Sequence, residues 1–114
     1  MSLDKDDRAY VWDMLTAAQA VVSFVDGRSL SDYLSDLMFR SAVERQVEII
    51  GEAARRISRE FQTAHPEIPW RHVLAHDYGE IKHDRLWRVA TGHLPELIVL
   101  LTPLGSSPPE METP

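Results

Sequence analysis

One short segment of this chain carries residue types that can act on a phosphate group. Arg71 is followed by four residues, then by His76, one further residue and Tyr78. An arginine guanidinium offers a fixed cation to a phosphate, and a histidine imidazole exchanges protons near neutral pH. Such a pair is the minimal set of side chains for cutting RNA without a metal, so Arg71 and His76 are the candidate catalytic residues.

The two side chains have distinct predicted roles. In metal-free RNA cleavage the neighbouring 2′-hydroxyl attacks the phosphate, while one group removes its proton and another protonates the leaving oxygen. His76 suits the acid or base role, and Arg71 suits the stabilisation of the charged phosphorane. Residues five apart on a helix are separated by about 140°. The pair therefore converges only if His76 ends its helix or the long arginine reaches around.

Composition sets broad limits on the class of protein. The chain has 114 residues, a net charge of −6 and no cysteine, which predicts one globular domain without disulfides or thiolate metal sites. The acidic balance argues against a general nucleic-acid coat, although segment 71–88 is nearly neutral and permits a local RNA site. The chain lacks a long apolar run and a basic leader, so we expect a soluble cytoplasmic protein. We also predict that it needs no cofactor.

Apolar periodicity predicts helices in the first half of the chain. The first helix is predicted over about Asp4 to Val25, stopped by Gly27. The second is predicted over about Asp36 to Gln62, with an apolar stripe that runs from Leu37 to Phe61. Gly51 interrupts this stripe, which indicates close packing at that point.

The second half is predicted to hold two further helices. A short one carries Trp70 to about His76, and the last runs from near Asp84 to Leu101, where Pro95 kinks or divides it. The pattern predicts an all-α protein, a four- or five-helix up-and-down bundle over residues 1–104. Residues 105–114, rich in proline and serine, are predicted to form a disordered tail.

Four ordered blocks carry a family resemblance. Arg45 to Ala53 matches the pattern R-x-x-E-x-I-G-E-A, His65 to Trp70 forms a proline-containing loop, the R-x4-H-x-Y motif follows, and Ile81 to Trp87 ends at a tryptophan. In these blocks the sequence resembles the HepT-like branch of the HEPN superfamily, over roughly residues 5 to 103.

This resemblance implies a homodimeric, metal-independent endoribonuclease that acts as the toxin of a type II toxin–antitoxin pair. Its RNA substrate would be tRNA or mRNA, cut at Arg71 and His76 in a dimer cleft. The implied partner is an MNT-type nucleotidyltransferase antitoxin, which silences such toxins by attaching AMP to the tyrosine that corresponds to Tyr78. Tyr78 could instead be a half-buried aromatic with a hydrogen-bonded hydroxyl.

The sequence also departs from the family. Relatives usually have about one and a half more helical turns between Pro-Trp and the motif arginine, with asparagine next. Here Arg71 directly follows Trp70, and His72 holds the asparagine position. Arg71 is therefore either the motif arginine after a deletion or an ordinary residue. The alternatives are a non-catalytic HEPN binding module that partners a nucleotidyltransferase and a purely structural dimerisation bundle.

Further polar residues could support the site. Glu48 and Glu52 are spaced i, i+4, which favours polar support of the motif or a dimer salt bridge over acid–base catalysis. His72 and His76 have the same spacing, and His83 and His93 could be imagined as further metal ligands. No matching carboxylate constellation accompanies them, so we predict no metal site.

Overall fold

A computed structural model describes residues 5–75 and 82–105 of the chain, and this part is all-helical without a strand. The predicted all-α class is confirmed. No helix within the described ranges is long and apolar enough to cross a membrane. The elements in chain order are α1 (Lys5–Val25), α2 (Leu30–Ser35), α3 (Leu37–Arg56), α4 (Arg59–Ala64), α5 (Trp70–Ala75), α6 (His83–Arg88), a π-helical turn (Val89–His93), α7 (Leu94–Leu101) and a 3-10 turn (Thr102–Leu104).

The core lies where α1 packs against α3 and α7. The predicted apolar face of α1 is buried at Val11, Met14, Leu15 and Ala18, because residues three and four apart share one side of a helix. α1 ends as predicted at a glycine: Gly27 has a φ of +72°, and the Arg28 backbone N–H donates to the Val25 carbonyl.

The predicted second helix is wrong in its extent. A continuous helix was expected to about Gln62, but α3 ends at Arg56 and α4 begins at Arg59. Ser58 caps α4, since its hydroxyl accepts from the Phe61 backbone N–H. The carboxylate of Asp7, on the first turn of α1, in turn accepts from the Ser58 backbone N–H at 2.7 Å and from the Ser58 hydroxyl at 2.6 Å. This distant contact fixes the corner between α3 and α4.

The start of the predicted apolar stripe on α3 is also wrong. Leu37, its first member, is 66% exposed, whereas Phe39 is 7% exposed and packs against Tyr33, because residues two apart on a helix point to nearly opposite sides. Asp36 caps the first turn of α3 by accepting from the Phe39 N–H, and that hydrogen bond is the main cause that lowers the pKa of Asp36. From Val43 onward the stripe is buried, and Gly51 is buried as expected.

The predicted interruption near Pro95 takes the form of a change in helix type. α6 continues into the π-helical turn, where the Leu94 N–H donates to the Val89 carbonyl five residues earlier. Proline cannot donate a backbone hydrogen bond, and its ring clashes with the carbonyl four residues before it in a regular α-helix. The wider turn before Pro95 relieves that clash and lets the helix continue.

Most of the predicted tail lies outside the described residues, which end at Gly105. Gly105 itself is buried, and its N–H donates to the Leu101 carbonyl. A Cβ at this position would lie 2.9 Å from Val11 Cγ1, so only glycine fits here without displacing a stiff core side chain.

Candidate functional site

The helix that carries the first part of the motif is anchored at its beginning. The Trp70 indole N–H donates to the His65 carbonyl at 3.0 Å, and the Trp70 ring meets Phe61 edge-on. Ile68, just before α5, is 1% exposed, and Val73 within it is 6% exposed. These contacts hold α5 against α3 and fix the direction in which its polar side chains point.

The loop before α5 is locally ordered by His65 and Glu67. The His65 ring lies 4.4 Å from the Phe61 ring, centroid to centroid. Its Nδ1 lies 3.1 Å from a carboxylate oxygen of Glu67. A backbone N–H and then the His65 side chain lower the pKa of Glu67. The carboxylate form of Glu67 therefore helps to hold the turn that leads into Trp70.

Arg71 lies on the exposed side of α5. Within residues 5–75 and 82–105 no carboxylate pairs with its guanidinium, so the group is available to an external phosphate. α5 is described as far as Ala75, and the predicted His76 and Tyr78 lie outside the described residues. The helix predicted over 70–76 is thus observed over Trp70–Ala75.

His72 faces a pocket of about 340 Å³ between α5 and the last helical segment. The pocket has an apolar interior and a polar rim. It is lined by Pro69, His72, Val73, Arg85, Arg88, Val89, His93, Leu94, Glu96, Leu97 and Leu100. His72 was predicted as a possible supporting residue of the motif, and the structure places it in the wall of this pocket.

α6 is held in place by a cluster of rings on the side away from the pocket. Tyr33 is fully buried, and its ring centroid lies 5.5–6.1 Å from the ring centroids of Phe39, His83 and Trp87. Burial raises the pKa of the Tyr33 hydroxyl, which finds no hydrogen-bond partner in the part of the chain that the structure describes. With Trp87 and Leu86 facing inward, Arg85 and Arg88 face the pocket.

The rim of the pocket is basic. Arg88 is 3.7 Å from Asp84 in an exposed pair, which adds little rigidity in water. Arg85 has no carboxylate partner among the described residues. Glu96 is the acidic residue of the wall, against the two arginines and the histidines at 72 and 93. The basic rim can therefore bind an anion, and the apolar interior can bind an apolar group that is attached to that anion.

The two glutamates of α3 have a local partner. Arg45 Nη1 lies 3.3 Å from Glu48 and 3.4 Å from Glu52. All three side chains are about half exposed and do not line the pocket. Their spacing therefore forms an ion-pair ladder on α3, and any role in supporting the motif stays a prediction.

No group of three or more metal-ligating side chains comes together among the residues that the structure describes. His72 and His93 both line the pocket, but His83 lies elsewhere, near Tyr33 and 4.0 Å from Glu44. Of the histidines imagined as ligands, His72 and His93 thus lie on one surface and His83 on another, while His76 lies outside the described residues.

Sequence reasoning missed the residues that α6 and α7 contribute to the pocket. Arg85 and Arg88 entered it only as part of the charge balance of segment 71–88, and Glu96 did not enter it. Arg85 and Arg88 are three residues apart, and Leu86 and Trp87 between them face inward. Residues three apart lie on the same side of a helix, so this spacing is the sequence signal that both arginines share an outer face. Nothing in the local pattern places that face opposite α5.

The family model described as ribonuclease HepT-like matches residues 14–104. The chain belongs to this family, as the four sequence blocks predicted. No solved structure matches the chain.

Several curated proteins are similar over most of their length. "Putative RNase MJ1380" of Methanocaldococcus jannaschii is 32% identical over 99 residues, which cover 82% of this chain and 91% of that protein. "Probable ribonuclease HepT" of Thermococcus cleftensis is 32% identical over 101 residues, covering 83% and 92%. "Putative RNase TTE0752" of Caldanaerobacter subterraneus is 29% identical over 99 residues, covering 82% and 88%.

Proposed function

We propose that this chain is a metal-independent endoribonuclease, active as a homodimer, and the toxin of a type II toxin–antitoxin pair. The observation that carries the proposal is its membership of the ribonuclease HepT-like family over residues 14–104. The exposed, carboxylate-free Arg71 guanidinium at the start of α5 supports it among the described residues. The substrate is RNA, with tRNA and mRNA as the candidate classes.

The chemistry assigns one role to each motif residue. The 2′-oxygen of the nucleotide attacks the adjacent phosphorus as His76 removes its proton. The bond to the 5′-oxygen breaks, and that oxygen receives a proton from an acid. The products are a 2′,3′-cyclic phosphate and a 5′-hydroxyl end. Arg71 donates hydrogen bonds to the phosphate oxygens as negative charge builds on them.

One arginine and one histidine from a single chain are too few groups to supply the cation, the base and the acid that the reaction needs. In a homodimer, two copies of the motif face one cleft, so that one copy can supply the base and the other the acid. This requirement for an acid and a base is the reason that we propose a dimer as the active form.

Cleavage of total cellular RNA by the purified full-length protein in EDTA tests the activity. We expect cleavage of unmodified RNA and none of a 2′-O-methyl copy, because the methyl group blocks the attacking oxygen. Cleavage that requires added Mg²⁺, or that proceeds on the 2′-O-methyl strand, would overturn the proposed mechanism. The new ends are checked chemically, because a 5′-hydroxyl accepts phosphate directly from polynucleotide kinase and a 2′,3′-cyclic phosphate resists ligation at the 3′ end until it is removed.

We propose further that an MNT-type nucleotidyltransferase antitoxin silences the protein by attaching AMP to Tyr78. A phosphate-linked nucleotide two residues from His76 adds negative charge and bulk where the RNA phosphate binds. Incubation with such a partner and ATP should raise the protein mass by AMP and abolish RNA cleavage. Tyr78→Phe should keep its mass and its activity under the same treatment. An unchanged mass for the wild-type protein would contradict this regulation.

One observation favours a second candidate, a HEPN binding module without ribonuclease activity that partners a nucleotidyltransferase. Arg71 directly follows Trp70, where the family usually has further helical turns. A motif helix that is shorter than in relatives is expected in a protein that has lost catalytic activity. Harmless expression in cells, with Arg71→Ala and His76→Ala behaving like the wild type, would favour this module over the toxin.

A further inference from the structure

We infer that the pocket between α5 and α7 is a binding subsite for one unpaired nucleotide of the RNA, next to the cleaved phosphate. This inference rests on the proposed function and adds to it the place where the substrate is held. The pocket has a volume of about 340 Å³, at the small end of the range of about 300–1,000 Å³ for pockets that take a small ligand. It is too small for a base-paired stem.

The position of the pocket joins it to the motif. His72 lines the wall of the pocket, and the neighbouring Arg71 lies on the exposed surface of the same helix. In the complex that we infer, an RNA strand whose phosphate is bound by Arg71 places a neighbouring nucleotide in the pocket. Single-stranded RNA is commonly bound in this way, with unstacked bases inserted between protein side chains.

The charge of the rim fits a phosphate. Arg85 and Arg88 point from α6 toward the pocket, and Arg85 has no carboxylate partner within the described ranges of the chain. Planar guanidinium groups bind phosphate oxygens through two parallel hydrogen bonds. Glu96 lines the same wall, and its carboxylate can accept from the amino group of a base.

The interior of the pocket fits a base. Below the rim the wall is formed by buried aliphatic side chains, and Leu100 closes one edge as a partly buried residue. His72 and His93 supply flat rings at the mouth. An apolar floor with flat rings and a basic rim is the combination that single-stranded nucleic-acid sites use for a base and its phosphate.

The test measures binding without cleavage. A fluorescein-labelled 2′-O-methyl hexanucleotide of mixed sequence is titrated with wild-type protein in EDTA, and the anisotropy is followed at several salt concentrations. We expect Arg85→Ala/Arg88→Ala to weaken binding roughly tenfold or more. The slope of log K against log salt should fall by about 0.7, since the two arginines bind one phosphate and each lost phosphate contact on a single strand removes about 0.7.

Two further variants separate the base from the phosphate and from net charge. Leu100→Trp fills the pocket from its edge and should weaken binding while it leaves the salt slope unchanged. Arg45→Ala/Arg56→Ala removes the same formal charge from α3, outside the pocket, and should bind within twofold of the wild type. Circular dichroism confirms that each variant is folded.

Three outcomes would overturn the inference. The first is wild-type protein that is folded and does not bind the probe. The second is pocket variants that bind like the wild type. The third is a Leu100→Trp protein that becomes monomeric by sedimentation yet binds the probe normally, which would make the pocket an interface between copies of the chain. Cleavage of unmodified RNA is scored separately, so that loss of the subsite and loss of the ribonuclease activity are distinguishable.

Discussion

Replacement of His76 by alanine should lower the rate of RNA cleavage by roughly 10²- to 10⁴-fold, the usual contribution of a positioned general acid or base. The reason is that His76 is the histidine of the R-x4-H-x-Y motif, and an imidazole is the side chain that exchanges protons near neutral pH. The measurement is a single-turnover cleavage rate on a defined RNA, with protein in excess and EDTA present. Circular dichroism on the same preparation verifies that the variant is folded.

Substitutions of Arg71 test the role of its guanidinium group in cleavage. Arg71→Ala should slow cleavage by roughly 10²- to 10³-fold, as removal of one donor to a charged transition state does. Arg71→Lys should recover only part of this loss, because an ammonium keeps the charge but not the two parallel hydrogen bonds. Arg45→Ala, on the ion-pair ladder of α3, is the control and should cleave normally. Full activity of Arg71→Ala would assign the phosphate contact to another cation.

The second large effect is on stability and concerns Asp7. This carboxylate is 5% exposed and accepts two hydrogen bonds from Ser58. Asp7→Ala removes the acceptor and leaves a part-buried backbone N–H without a partner, which costs about 2 kcal/mol. For a domain of this size we expect Tm to fall by roughly 10 °C. Thermal unfolding followed by circular dichroism measures the change.

Matched variants make this result specific. Asp7→Asn keeps one acceptor oxygen and should lose about half as much stability as Asp7→Ala. Asp13→Ala, on the same helix, removes an exposed carboxylate whose pKa is raised by partial desolvation, and should change stability by less than about 0.5 kcal/mol. Equal Tm values for Asp7→Ala and Asp13→Ala would contradict the assigned role of Asp7.

The sequence predicted those features that depend on local pattern. α1 follows from apolar spacing, and its end follows from a glycine that takes a positive φ at position 27. A kink or division at Pro95 was predicted from the missing N–H of proline, and the structure has a π-helical turn before it, a change of helix type that the sequence did not predict. The division between α3 and α4 was missed, because a contact with Asp7, 51 residues away, stabilises the break at Ser58. A contact between residues so far apart in the chain produces no periodic pattern of apolar residues in the sequence.

The candidate site was predicted in part for the same reason. The motif residues share one short segment, so their types and spacing identify them. The pocket instead combines His72 of α5 with Arg85 and Arg88 of α6 and Leu100 of α7. Its existence depends on how these helices pack, and in particular on the ring cluster around Tyr33 that turns α6. Only the three-dimensional arrangement reveals it.

The way α5 is attached has a consequence for how this site can evolve. α5 is held by Trp70 at its first residue and by Val73, its contribution to a core that is otherwise formed largely by α1, α3 and α7. Insertions or deletions beyond Trp70 therefore change how far the motif is carried from the bundle and displace the core side chain of Val73, while the contacts among α1, α3 and α7 stay in place. The length of this helix is a variable that selection can adjust separately from the packing of α1, α3 and α7.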